Sequence, residues 1–185
     1  MYPLYAKIGD KKYKINTDFR VALECNKIFF TNVSNEEKAL AVIYLLFGDE
    51  GLDNSQDWEQ LMEKAQKYLL CGKEPEAGEK PDMDFEQDEG LIRASFYTDY
   101  GIKDIFEEQN IHWWYFNDLM TGLTDKCALN RVRELRNYDT SDIKDSKFRS
   151  QIEKSKEKVK LKTKKKEATE KQQKSSNKFY EKLGL

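Results

Sequence analysis

Ser34-Asn-Glu-Glu-Lys-Ala-Leu-Ala-Val-Ile-Tyr-Leu-Leu-Phe-Gly48 is the stretch that decides the fold class. Ser34 and Glu37 form a capping box, in which hydroxyl and carboxylate each satisfy a backbone N–H left open at a helix start. Ala39, Val42, Ile43, Leu46 and Phe47 then recur at the spacing of one helical face. An apolar stripe of that width must be covered by other elements, so the surrounding chain is expected to supply helices that pack on it. Gly48 reads as the stop.

Working outward, the next helix is expected from about Gln56 to Leu70. Trp58, Leu61, Met62, Ala65, Leu69 and Leu70 fall near i, i+3, i+4, i+7 spacing. On the other side, Thr17 reads as an N-cap for a helix through Phe19, Leu23 and Cys25–Phe30, with Asp18 in its first turn. Before that, Leu4, Ala6 and Ile8 alternate with Tyr5 and Lys7, Gly9-Asp10 supplies a turn, and Tyr13 and Ile15 resume the alternation. That is a β-hairpin, which needs helices to pack against because an isolated hairpin is marginal in water.

Residues 72–82 read as a loop. Phe85, Leu91, Ile92, Ser95 and Phe96 predict a helix ending near Gly101, and Ile102, Ile105 and Phe106 a short following segment. Asn110 is the expected cap of a helix over His112–Met120, closed by Gly122, and Leu129–Tyr138 a further one. The expected fold is mainly α. An N-terminal β-hairpin packs on a compact bundle of about six short helices, residues 1–142, followed by a basic helical or disordered extension, residues 143–185.

Ten Tyr, ten Phe and three Trp are too many for a disordered chain, so most of it should fold. The net charge of −2 conceals an asymmetry. From Lys144 onward there are 15 basic and 6 acidic residues, a net of +9, which leaves 17 basic and 28 acidic residues, a net of −11, in 1–143. Cys25, Cys71 and Cys127 form no CxxC pair and read as reduced thiols. The first residues show no secretory apolar region, and the longest apolar stretch, around Ala39–Phe47, is too short to span a bilayer. A soluble intracellular protein is expected.

Chemistry-bearing motifs are sparse. His112 is the only histidine, and one histidine without partners at ligand spacing builds no typical zinc site. Its expected role is to cap or hydrogen-bond the start of its helix. Asp82-Met-Asp84-Phe-Glu86-Gln-Asp88 resembles a calcium loop superficially, but Gln87 stands where Gly is required and Arg93 where a bidentate Glu is required. An acidic helix start accounts for it. P-loop, GxGxxG, GxSxG and HExxH patterns do not occur. The chain is expected to be no enzyme, to need no cofactor or metal, and to work by binding proteins.

The candidate contact residues are aromatic: Trp113, Trp114 and Phe116 in the run Ile-His-Trp-Trp-Tyr-Phe, with Tyr97 and Tyr100 on the preceding helix. Trp113 and Phe116 share a face with Met120, so the competing structural reading makes one Trp core and the other half-buried. Lys162, Lys164, Lys165 and Lys166 form a basic cluster. It could bind nucleic acid by counterion release, but it lacks the interleaved aromatics of single-strand binders. Steering toward an acidic partner and simple solubilisation are the other readings.

The order of segments resembles a known family. Asn16-Thr-Asp-Phe-Arg20 follows the hairpin; Asp84-Phe-Glu-Gln-Asp88 precedes Ile92, Ala94-Ser-Phe96 and Tyr100-Gly-Ile102; His112-Trp-Trp114, Phe116, Leu119 and Gly122-Leu123 precede Arg133 and Arg136. Over roughly residues 2–162 this is similar to the small tail protein of long-tailed phages and prophages of Gram-positive bacteria, encoded between the major tail protein and the tape-measure protein. The resemblance implies a tail assembly chaperone in the host cytoplasm. Such a protein would bind the tape-measure protein, recruit tail-tube subunits and be absent from the finished virion. It implies the major tail protein as a second partner. Self-association is a further option, the short apolar stretches argue against a membrane, and the acidic body disfavours nucleic acid. It brings no catalytic residues.

Beyond about residue 162 the resemblance ends. The Lys164–Lys166 run suggests an A-rich slippery site for a frameshifted longer product, an idea that fails if the gene holds no slippery heptamer with an overlapping frame. The competing readings are a structural tail component kept in the virion and a nucleic-acid-binding module acting through the basic tail. The latter would bind in a steeply salt-dependent manner and lose binding on deletion of residues 163–185.

Overall fold

The computed structural model describes residues 1–74 and 81–162. Among them are β1 (Tyr5–Ile8) and β2 (Lys11–Lys14), then α1 (Phe19–Ile28), α2 (Asn35–Asp53), a 3₁₀ turn at Ser55–Asp57, and α3 (Trp58–Leu69). These are followed by α4 (Glu89–Tyr100), α5 (Trp113–Thr121), α6 (Ala128–Asn137) and α7 (Ser146–Val159). The mainly α class with an N-terminal hairpin is as the sequence predicts. The described chain forms two units: 1–74 with 109–118, and 81–108 with 119–162. Each is described by itself.

In the first unit the hairpin is antiparallel, with Ala6 opposite Tyr13 and Lys7 opposite Lys12. Gly9 turns the chain with φ 55°. Ala6, Ile8, Tyr13 and Ile15 are buried, and β1 packs on α3 while β2 packs on α2. Leu4, expected on the inner face, is exposed, although its carbonyl accepts the Ile15 backbone N–H at 2.9 Å just before the paired strands begin. The whole α2 stripe is buried as predicted, and both bonds of the Ser34–Glu37 capping box are made.

Four sequence expectations need correction. Asp18, not Thr17, caps α1, since its carboxylate accepts the Arg20 backbone N–H at 2.9 Å and also grips the Arg20 guanidinium. That guanidinium holds the Asp18 carboxyl below the usual carboxylate range. Helix α1 stops at Ile28, leaving Phe29 and Phe30 exposed. Leu70 lies beyond the end of α3 and is also exposed, whereas Tyr68, absent from the predicted stripe, is buried. Gly48 breaks α2 without ending it: φ 66° and ψ −159° interrupt the helix, and helical turns resume to Asp53.

That Gly48 conformation belongs to glycine alone. A Cβ there would meet no atom within 4 Å, so any penalty is conformational and not steric. Gly48→Ala is expected to cost about 1–3 kcal/mol, read as a lowered urea midpoint. A midpoint equal to that of the natural chain would show that the kink relaxes freely.

In the second unit α4 packs on α6, and α6 on α7. Helix α4 ends at Gly101, left-handed at φ 70°, as expected for a C-terminal glycine. Ile92, Phe96, Ile105, Leu123 and Leu129 are its main apolar core. Buried Ser95 ties two helices together. Its hydroxyl donates to Leu91 O and accepts from the Leu129 backbone N–H. Helix α7 has no buried residue, so the sparse apolar positions Phe148, Ile152 and Val159 yield a helix that rests half-covered on α6. The expected fraying stretch from Thr163 to Asn177 lies outside the described residues.

Candidate functional site

The aromatic run is a capping device. Helix α3 ends with carbonyls that have no partner within the helix. The Trp113 indole N–H donates to Leu69 O at 3.0 Å, and the Trp114 indole N–H to Tyr68 O at 2.9 Å. Trp58 does the same for α2, donating to Gly51 O and Leu52 O. All three tryptophans of the chain thus spend their one polar atom on a helix C-terminus. Gly72, left-handed at φ 73°, lets Trp114 approach: a Cβ there would lie 3.2 Å from the indole edge.

His112 starts α5. Its Nδ1 accepts the Trp114 backbone N–H at 3.0 Å, so Nε2 carries the proton and donates to Pro3 O, also at 3.0 Å. Histidine therefore does the capping assigned to Asn110, which instead sits at φ 60° and turns the chain just before. The capping role read for His112 matches this geometry. The Tyr2 ring stacks on the imidazole with centroids 5.0 Å apart, and the Tyr2 hydroxyl donates to Asp118. His112→Ala is expected to cost about 1–2 kcal/mol through the lost cap, with His112→Asn recovering much of it. Equal melting temperatures for the two variants would contradict the capping role.

The predicted contact residues separate by burial. Trp113 and Phe116 are interior, Phe116 stacked on Phe19 at 4.3 Å and on Trp113 at 5.9 Å. Neither can be a surface anchor, because the core of the first unit is built on them. Trp114 is half-buried and stacks on Tyr68. Of the two on α4, Tyr97 is 62% exposed, whereas Tyr100 is 37% exposed with its hydroxyl held by Leu119 O. Near Trp114 the candidate set missed two exposed aromatics, Tyr115 on α5 and Tyr2 beside it. Tyr115 was legible as the outward neighbour of Trp114. Tyr2 was not, since it reaches α5 across more than a hundred residues of chain.

The acidic stretch before α4 is structural as well. Asp84 caps the turn by accepting the Glu86 and Gln87 backbone N–H groups. Asp88 makes no side-chain cap; its buried carboxylate receives two bonds from Arg136 at 2.7 Å. Asp82 takes Arg133 and Asn137. Among the described residues no group of His, Cys, Asp and Glu is arranged to hold a metal. Burial pushes the Cys25 thiol up to about 12 and that of half-buried Cys71 up to about 11, so both stay protonated. An open groove of about 690 Å³ in the first unit is lined by residues 14–18 and 44–49 with Asn110. Of the basic cluster, Lys162 is described, with its backbone held by Gln87. Lys164, Lys165 and Lys166 lie outside the described residues.

A family model, bacteriophage Gp15 protein, matches residues 3–161. The chain belongs to this family. No curated protein and no solved structure matches it. The Gp15 match runs from the hairpin to just past α7, so it takes in nearly all of both units and the basic extension only as far as residue 161. The phage origin read from the order of segments is therefore right at family level. Among the described residues of this Gp15 protein, no helix is long and apolar enough to cross a membrane.

Proposed function

We propose that this Gp15-family protein is a tail assembly chaperone without catalytic activity. It binds the tape-measure protein and recruits tail-tube subunits in the host cytoplasm, and it is absent from the finished particle. One observation carries the reading: exposed aromatics stand on helices whose opposite faces are packed in the core. Tyr97 on α4, and Tyr115 with Tyr2 at α5, offer large amphipathic contact area at low entropic cost. A long helical client that is unassembled needs such contacts, repeated over many copies at moderate affinity. The Gp15 match supports a phage context for that client.

Co-expression with the tape-measure protein tests this. The full chain is expected to raise the soluble fraction of the client and to co-purify with it, and Tyr97→Ser to weaken both while leaving the melting temperature unchanged. An insoluble client and no co-purification would count against the reading. Stoichiometric presence of the chain in purified virions, by mass spectrometry, would turn it toward a structural tail component.

A further inference from the structure

Two exposed faces of the first unit carry opposite charge and have no partner. On the outward side of the hairpin, Tyr5 stands opposite Lys14 and Lys7 opposite Lys12. All four are exposed, and the inner side is filled by Ala6, Ile8 and Tyr13. Lys7, Lys12 and Lys14 make no ion pair among the described residues. Like charges directly opposite each other on a strand pair are destabilising, so this face costs the isolated molecule something. The hairpin's other lysine, Lys11, already bonds Asp57 at 2.9 Å.

The opposite sign gathers on α2 and α3. Between Lys38 and Lys64 there is no basic residue, and there are six carboxylates. Asp57 is taken by Lys11 and Tyr13, which hold its carboxyl below the usual range. The remaining five, Asp49, Glu50, Asp53, Glu59 and Glu63, are exposed and unpaired among the described residues. The lysine face makes no ion pair with them within the molecule, although Lys14 and Asp49 line the same groove.

We propose that copies of this chain associate head to tail, the Tyr5–Lys7–Lys12–Lys14 face of one seated on the acidic α2–α3 rim of the next. Tyr5, 52% exposed among the lysines, supplies the apolar anchor and the lysines the charged surround. Because the two faces differ, the contact is heterologous and extends into rings or filaments rather than closing as a two-fold dimer. A second copy fits better than a polyphosphate. Residues 1–143 carry a net charge of −11, which repels nucleic acid at long range, and the face has no arginine fork for phosphate. The inference does not depend on the chaperone reading.

Sedimentation of the full chain tests it. Association is expected at low salt and is expected to fall roughly tenfold or more at high salt, as exposed ion pairs are screened. The variants K7E/K12E/K14E and D49K/E50K/D53K should each lose self-association by a similar factor. An equimolar mixture of the two should regain it, because the unaltered lysine face of one variant meets the unaltered acidic rim of the other, and the two altered faces pair with their signs exchanged. Should the triple lysine variant not fold, K12E alone carries the test, since it relieves the Lys7–Lys12 repulsion and should leave the hairpin intact. Three outcomes would overturn the proposal: a natural chain monomeric at low salt, undiminished association in the lysine variants, or a mixture that stays monomeric. Salt-sensitive binding of single-stranded DNA by the same lysine face, without self-association, would assign it to nucleic acid instead.

Discussion

Arg136→Ala is expected to cost about 3–5 kcal/mol, one of the two largest single losses in the chain. The guanidinium makes four hydrogen bonds. Two go to the Asp88 carboxylate at 2.7 Å, one to Asp82 O at 2.8 Å and one to Val159 O at 2.6 Å. From α6 it therefore fixes the start of α4, the strand of chain leading into it, and the end of α7. The side chains of Arg136 and Asp88 are 10% and 2% exposed. Truncating the arginine leaves the buried carboxylate with only the Asp84 backbone N–H at 3.0 Å and no countercharge, and that desolvation is the main part of the loss. Arg136→Lys should recover little, because an ammonium cannot span both carboxylate oxygens and two carbonyls at once. Replacing both partners by apolar residues, as in D88L/R136M, should cost less than Arg136→Ala alone. Urea unfolding followed by circular dichroism measures all three. The account fails if Arg136→Ala and the natural chain unfold within about 1 kcal/mol of each other, well under the expected loss for a broken buried pair.

This ion pair marks the boundary of what the sequence could tell. Asp88 was readable as an acidic residue near a helix start, and Arg136 as a basic residue in a helix. Their pairing spans 48 positions, and nothing in local periodicity announces a contact of that range. The calcium-loop pattern fails on Gln87 and Arg93, and the structure pairs two of its carboxylates, Asp82 and Asp88, with α6. Local signals did better. The Ser34 capping box, the α2 stripe, the Gly9 turn and the Gly101 terminus all depend on residues within one or two turns, and all stand where expected. The displaced caps show the limit of that logic. Thr17 and Asn110 were sound N-cap types, but Asp18 and His112 won because each has a second partner, Arg20 and Pro3 respectively.

The aromatic candidates divide for a similar reason. Helical spacing placed Trp113 and Phe116 on one face, but spacing alone cannot say whether a face meets core or solvent. What made it core is Phe19, stacked on Phe116, and the α3 terminus, which requires an indole donor. Tyr97 stayed exposed because Ile92, Ser95 and Phe96 already fill the buried side of α4. Among the aromatic candidates, exposure is thus greatest at a tyrosine, Tyr97, and not at the tryptophans that drew attention in the sequence.

Trp113 is the second site of large expected effect, and the comparison with Trp114 separates folding from function. Trp113→Ala removes a side chain that is 3% exposed and stacked on Phe116, leaving a cavity expected to cost about 3–5 kcal/mol. Trp113→Phe keeps most of the ring but leaves Leu69 O without its indole donor, a buried carbonyl worth about 1–3 kcal/mol unpaired. Trp114→Phe should cost less than Trp113→Phe. Its acceptor, Tyr68 O, still receives the Cys71 backbone N–H at 3.0 Å, and its ring is only half-buried. Thermal melts of the three variants give the ranking, and equal losses for the two phenylalanine variants would refute the capping account. The same proteins sharpen the partner assay. If client solubility is lost with Trp113→Ala, the melt should show that the first unit has been destabilised. A Tyr97→Ser chain that keeps its melting temperature but loses the client would place the contact on α4. A Trp113→Phe chain with near-natural stability and no client binding would instead return the tryptophan to the contact surface.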